Sequence, residues 1–285
     1  MMARSEVEKK FNQDISDWNV SSVTDMNATF FEATSFNQDL SSWDVSNVID
    51  MDNLFKGATS FNQDISSWDV SNVTDMKYMF NTATSFNQDI SGWDVANVLT
   101  MEHMFNTASN FNQDLASWNV SSVTNMSFMF READSFNGDI SSWNVSNVSN
   151  MSQMFLSANI FNGDISNWDV SNVTNMSGMI DNATNFNHDL SLWDVGNVNN
   201  MSYMFNNANS FNQDLSSWDI SSVTNMANMF NGVDLSDLHE CAINSVFSSN
   251  DAWPYDWTTS CFEPQDKAEL QSAVDLWVSD NDSAR

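Results

Sequence analysis

A 25-residue period runs through the chain without an insertion or deletion, and it leaves few ways to fold. Phe11-Asn12-Gln13-Asp14-Ile15 returns as Phe36-Asn37-Gln38-Asp39-Leu40, then from Phe61, Phe86, Phe111, Phe136, Phe161, Phe186 and Phe211, giving nine copies from Phe11 to Leu235. Trp recurs at Trp18, Trp43, Trp68, Trp93, Trp118, Trp143, Trp168, Trp193 and Trp218. Val23 and Met26 have identical equivalents in every copy, and the Phe30 column departs from Phe only at Ile180. Nine apolar positions per copy are too many to expose and too few for one copy to bury alone. Stacked neighbours would bury them together, which predicts a solenoid.

Two patterns recur inside each copy. Ile65-Ser66-Ser67-Trp68-Asp69-Val70 ends in apolar–polar alternation and reads as a short strand. Val73, Met76, Met79, Phe80 and Ala83 follow the spacing of one apolar helix face, with Ser71 or Asn72 as cap and a length of a few α or 3₁₀ turns. Thr84 to Asp89 returns the chain to the next strand. A strand, a short helix and a return loop in this length suit the leucine-rich class of repeat. The expected fold is therefore α/β, a leucine-rich-repeat-like solenoid of nine coils, each with a short parallel strand and a short helix. At a strand spacing of ~4.8 Å it would be roughly 43 Å long.

The unit from Phe61 to Phe80, FNQDISSWDVSNVTDMKYMF, resembles the 25–26-residue repeat of bacterial surface proteins of the Mycoplasma and Listeria type, itself similar to the BspA-like leucine-rich family. The resemblance spans about four-fifths of the chain. It implies a secreted or surface-displayed protein that binds or adheres and has no enzymatic activity. It names no ligand, because a fold does not specify a function.

Domain organisation follows from where the repeat stops: residues 1–10 as a charged N-terminal segment, 11–235 as the repeats, 236–262 as a C-terminal cap, and 263–285 as a linker helix or the start of another module. Ser236 to Phe247 reads as a helix with Ser236 as N-cap and Leu238, Cys241, Ala242 and Val246 on one face. Such a helix would close the open end of the stack. Trp253-Pro254-Tyr255-Asp256-Trp257 resembles the terminal cap segment of the same surface proteins, and Gln265 to Ser279 reads as a second helix. Cys241 and Cys261, the two cysteines, fall in the cap. They are either a bridge or two reduced thiols, and the extracellular setting implied by the resemblance favours the bridge.

Asp14, Asp39, Asp64, Asp89, Asp114, Asp139, Asp164, Asp189 and Asp214 would form an unbroken column of carboxylates about 5 Å apart. One reading has each accepting backbone N–H groups in a turn or pairing with the Asn12-type column. The other places Ca²⁺ between coils, from Asp39 through Asp214. Turn chemistry is the favoured reading, so no cofactor is expected. A second column, Asn19, Asp44, Asp69, Asp94, Asn119, Asn144, Asp169, Asp194 and Asp219, reads as solvated surface. The Trp column invites a sugar-stacking role, yet a residue required in every coil belongs to the core. Ligand contacts should fall instead where copies differ, as at Asp17, Gly92, Leu192, Thr29, Tyr78, His103, Phe128 and Tyr203.

Several classes are set aside. The Thr24, Ile49, Thr74, Leu99, Thr124, Ser149, Thr174, Asn199, Thr224 column is too interrupted for an ice-ordering threonine ladder. No nucleophile–His–acid set, phosphate-binding glycine loop or HExxH occurs, and His103, His188 and His239 are scattered, so no enzyme is expected. The formal charge of −30 repels nucleic acid and anionic lipid. No apolar run approaches the ~20 residues of a membrane span, and Met1 to Lys10 lacks a signal-peptide core. The expectation is a monomeric, extracellular or surface protein that contacts a protein or cell-surface ligand. The alternative is a structural spacer between modules.

Overall fold

The computed structural model describes residues 9–258, Cys261 and residues 271–272. The nine copies stack in register. Isolated parallel bridges link Asp25 to Asp50, Asp50 to Asp75 and so on, one residue wide, up to Asn200–Asn225. No extended sheet forms among the described residues, and one helix is present, α1 (Asp237–Phe247).

The expectation of a strand and a helix in every coil is therefore wrong: the coils are chains of turns. In residues 61–85 the N–H of Trp68 bonds the carbonyl of Ile65 at 3.1 Å, and Val73 bonds Val70 at 2.9 Å, which folds the expected strand into successive turns. Along the expected helix, Met79 donates to Met76, Asn81 to Tyr78 and Ala83 to Phe80, each three residues back. The intervening N–H groups of Tyr78, Phe80 and Thr82 leave the coil altogether and reach the carbonyls of Glu102, Met104 and Asn106 at 2.8–2.9 Å. Tyr78 and Thr82 have φ of 55° and 59°, as the third residue of a type II turn requires. Alternate peptides are thereby turned outward to the neighbouring coil, whereas an α-helix would turn all of them along its own axis.

Both left-handed columns run the full length. Ala28, Asn53, Tyr78, His103, Phe128, Gln153, Gly178, Tyr203 and Asn228 form one; Glu32, Gly57, Thr82, Thr107, Glu132, Ser157, Asn182, Asn207 and Gly232 form the other. Only three of these eighteen are glycine. A non-glycine residue there costs on the order of 1–2 kcal/mol, with β-branched Thr82 and Thr107 the least suited. Bonds to the next coil and the buried core offset that cost.

The core is a set of ladders parallel to the stack. Phe61 and Phe86 stack at 6.0 Å, Phe80 lies 4.0 Å from Phe86, and Trp68 and Trp93 lie 6.5 Å apart and nearly parallel. From Trp43 to Trp218, each indole Nε1 donates to the Ile or Leu carbonyl of the coil before it, as in Trp43 to Ile15 at 3.1 Å and Trp118 to Ile90 at 3.0 Å. These eight are buried. Trp18, expected in the same core column, is instead 61% exposed. Among the described residues no coil stacks on its outer side to cover its ring or accept its N–H.

At the other end the cap imitates a tenth coil. The N–H of Phe230, whose equivalents bond the following coil, is taken by the Tyr255 hydroxyl at 2.8 Å. Asn250 Nδ2 donates to the carbonyls of Ile220 and Val223, and Trp253 Nε1 to Asn244 Oδ1. Ser236 caps α1 by accepting the His239 N–H. The fully buried residues of α1 are Ile243, Asn244 and Phe247; of the predicted face Val246 packs against the core and Cys241 and Ala242 are half-buried, but Leu238 is 75% exposed. The helix is rotated so that Phe247 meets Trp253 edge-on at 5.2 Å. Cys241 and Cys261 lie at disulfide distance, with Cα atoms 4.9 Å apart. The second helix expected over Gln265 to Ser279 lies outside the described residues apart from Gln271 and Ser272.

Candidate binding face

The two acidic columns are turn-formers. Oδ1 of Asp14, Asp39, Asp64, Asp89, Asp139, Asp164, Asp189 and Asp214 accepts the N–H two residues on, closing an Asx turn in each coil. Asp114 is the exception. Gly138 in the next coil has no Cβ to strike the Gln113 carbonyl, so the backbones approach, and Asp114 Oδ1 accepts from the Asp139 N–H at 3.0 Å. The Asn19-type column, read as mere solvated surface, forms a second series of Asx turns, as Asp44 to Ser46 and Asp69 to Ser71. The spacing Asp/Asn-x-Ser, present in seven of the nine copies of that column, is the signal that could have revealed it.

In the first column, donated N–H and O–H bonds lower the pKa of Asp14, Asp39, Asp64, Asp89, Asp139 and Asp164. The Ser41 N–H, then its hydroxyl, draws Asp39 below the usual carboxylate range, against repulsion from Asp14 and Asp64. In Asp89 and Asp164 the serine hydroxyl contributes most, followed by the backbone N–H. Among the described residues no three His, Cys, Asp or Glu side chains are grouped to hold a metal. The Asn12-type column bonds between coils: Asn12 Oδ1 accepts the Asn37 N–H, Asn37 the Asn62 N–H, and so on to Asn212, which accepts from Ser236 and faces His239.

With the core and turn residues assigned, chemical individuality remains where copies differ. The left-handed Tyr78 column brings three of the expected contact residues together. Tyr78 and His103 stack at 4.5 Å and His103 and Phe128 at 4.2 Å, both nearly parallel. Tyr203 stands apart from this ladder, beyond Gln153 and Gly178, and is 45% exposed. Leu192 is 81% exposed in the Asp17 and Gly92 column, beside the Trp corner.

The same face gathers cations. Between residues 11 and 258 the sequence has only Lys56, Lys77 and Arg131, and Lys56 and Arg131 flank the ring ladder. Lys56 Nζ lies 4.0 Å from the centre of the Tyr78 ring. Lys77 sits 3.8 Å from Asp75, and Arg131 pairs with Glu132 at 2.9 Å. Burial first, then the charges of Lys56 and Arg131, lower the His103 pKa to about 4, so the central ring is neutral at physiological pH. Burial, with Glu102 and Asp52 nearby, raises Tyr78. Neutral stacked rings edged by both signs of charge can bind; they contain no activated nucleophile or matched acid–base pair.

A family model described as "Mycoplasma protein of unknown function, DUF285" matches residues 1–84, 63–162 and 138–240. The match is to a Mycoplasma-type repeat and does not single out the BspA-like proteins. No curated protein matches the chain. No helix among the described residues is long and apolar enough to cross a membrane.

Proposed function

The chain belongs to that Mycoplasma repeat family, and we propose that it is a non-enzymatic surface or secreted protein of BspA-like type that binds a protein or cell-surface ligand through the Tyr78–His103–Phe128 face. The carrying observation is coincidence of place: the three-ring ladder and two of the three cations of the repeats, Lys56 and Arg131, share one face, on columns the core does not constrain. Aromatic and Arg side chains are the types that dominate interface energetics. A cysteine pair at disulfide distance supports an oxidising compartment outside the cytosol.

The spacer reading rests on a different observation, the unbroken ladder of nearly identical coils. An array of host and matrix proteins and glycans, probed with the chain and with Tyr78→Ser/Phe128→Ser, separates the two. A ligand retained by the native chain and lost by the variant is expected. Failure to retain any ligand leaves the spacer.

A further inference from the structure

At the first coils, next to the ring ladder, lies a groove of about 340 Å³ whose lining is unlike the rest of the surface. Its walls include Lys9, Phe31, Thr34, Lys56 and Thr59. Its floor is bare because the left-handed column carries Gly57 there, at φ 74°; later coils place Thr82, Thr107 and Glu132 at the same register. Lys9, Lys56 and the Glu32 carboxylate line it, in a chain of −30. Among the described residues no carboxylate lies within ion-pair distance of Lys56, although the chain has 38 acidic residues. Its ammonium instead sits over Tyr78 at 4.0 Å and within 5.9 Å of the Phe31 ring centre.

We infer that this groove binds one acidic sugar residue, a uronic acid, at the end of an otherwise neutral glycan. The carboxylate meets Lys56, the C–H face of the pyranose lies on the exposed side of Phe31, and the threonines line the hydroxyl-bearing edge. A cation held between aromatic faces and not ion-paired with a described carboxylate is poised for an external anion. The net charge narrows the class further. A polyanion, whether nucleic acid, a repeating acidic polysaccharide or an acidic peptide, would be repelled along the whole stack, whereas a single charge placed beside Lys56 meets far less of that repulsion. The volume suits one ring better than a folded partner. This inference names a ligand class for one end of the proposed binding face and rests on that reading.

The test titrates the full chain with methyl β-D-glucuronide, methyl β-D-glucoside and a short Asp/Glu peptide by calorimetry or ligand-observed NMR. Glucuronide should saturate the protein at millimolar concentration, with the glucoside and the Lys56→Gln variant each weaker by about tenfold, the worth of one charge-assisted contact. Lys56→Gln should melt with the native chain, since that side chain is partly exposed; Phe31→Ser gives a second variant that removes stacking and leaves both lysines. Equal binding of glucuronide and glucoside, tighter binding of the peptide, or no saturation into the tens of millimolar overturns the inference. If an array ligand is lost with Tyr78→Ser/Phe128→Ser yet kept by Lys56→Gln, and glucuronide does not bind, the proposed function stands and this inference falls.

Discussion

Replacing the same residue at two registers of the repeat separates burial from sequence. Trp118 is 3% exposed, stacks on Trp143 at 6.4 Å, and donates its indole N–H to the Ile90 carbonyl. A buried Trp covers about 150–250 Å², worth about 4–6 kcal/mol at 25 cal/mol per Å². Measured large-to-small losses run about 3–5 kcal/mol, and the lost hydrogen bond puts Trp118→Ala toward the top of that range. Ile90 O keeps a second donor, the Trp93 N–H at 3.1 Å, so Trp118→Phe should cost only about 1–2 kcal/mol. Trp18→Ala should cost about 1 kcal/mol, because its ring is mostly in water and no cavity is created. Urea unfolding followed by circular dichroism gives the comparison, with m-values checked because a repeat array need not unfold in one step. If Trp18→Ala and Trp118→Ala destabilise equally, the indole ladder is not what the inner coils depend on, and the argument fails.

Three further outcomes are expected. Tyr255→Phe should lower stability by about 1–3 kcal/mol by leaving the Phe230 N–H without its acceptor, and hydrogen exchange should quicken at residues 226–233 before the central coils; uniform exchange would refute the capping role. His103, with a folded pKa of about 4 against 6.5 for the free side chain, contributes stability that is present above pH 6.5 and lost as pH falls toward about 4, because the unfolded chain takes up the proton first. Asp52 and Asp181, both raised mainly by burial, act in the opposite sense, so the readout is the difference in melting temperature between native chain and His103→Phe across that window; no difference would sink it. Finally, CaCl₂ and NaCl at matched ionic strength should raise the melting temperature alike by screening the −30 charge, and a Ca²⁺ excess reversed by chelator would make the Asp14-type column a metal site.

Much was legible before any coordinates. The period, the nine copies, the inward columns and Ser236 as the cap of α1 follow from which residue types recur and where recurrence stops. Side-chain identity reports which positions avoid water, and that requirement survives whatever the backbone does. Tyr78, His103 and Phe128 could be picked out because they stand 25 residues apart on a column free to vary, so stacking had to bring them together.

Backbone direction was not legible. Val73, Met76, Met79 and Ala83 lie three or four apart, and both a helix and a chain of turns put such residues on one side. What decides between them is where Tyr78 and Thr82 send their N–H groups. A left-handed φ at those residues is unfavourable in isolation and holds only because the carbonyls of Glu102 and Asn106, a full coil away, accept the bonds it releases. Trp18 makes the same point from the other side. Its sequence position matches that of eight buried tryptophans, yet with no described coil stacked on its outer side it stands in water. The sequence by itself determined what each coil must hide; the stacked neighbour, by supplying acceptors and cover, decided the path of the chain that hides it.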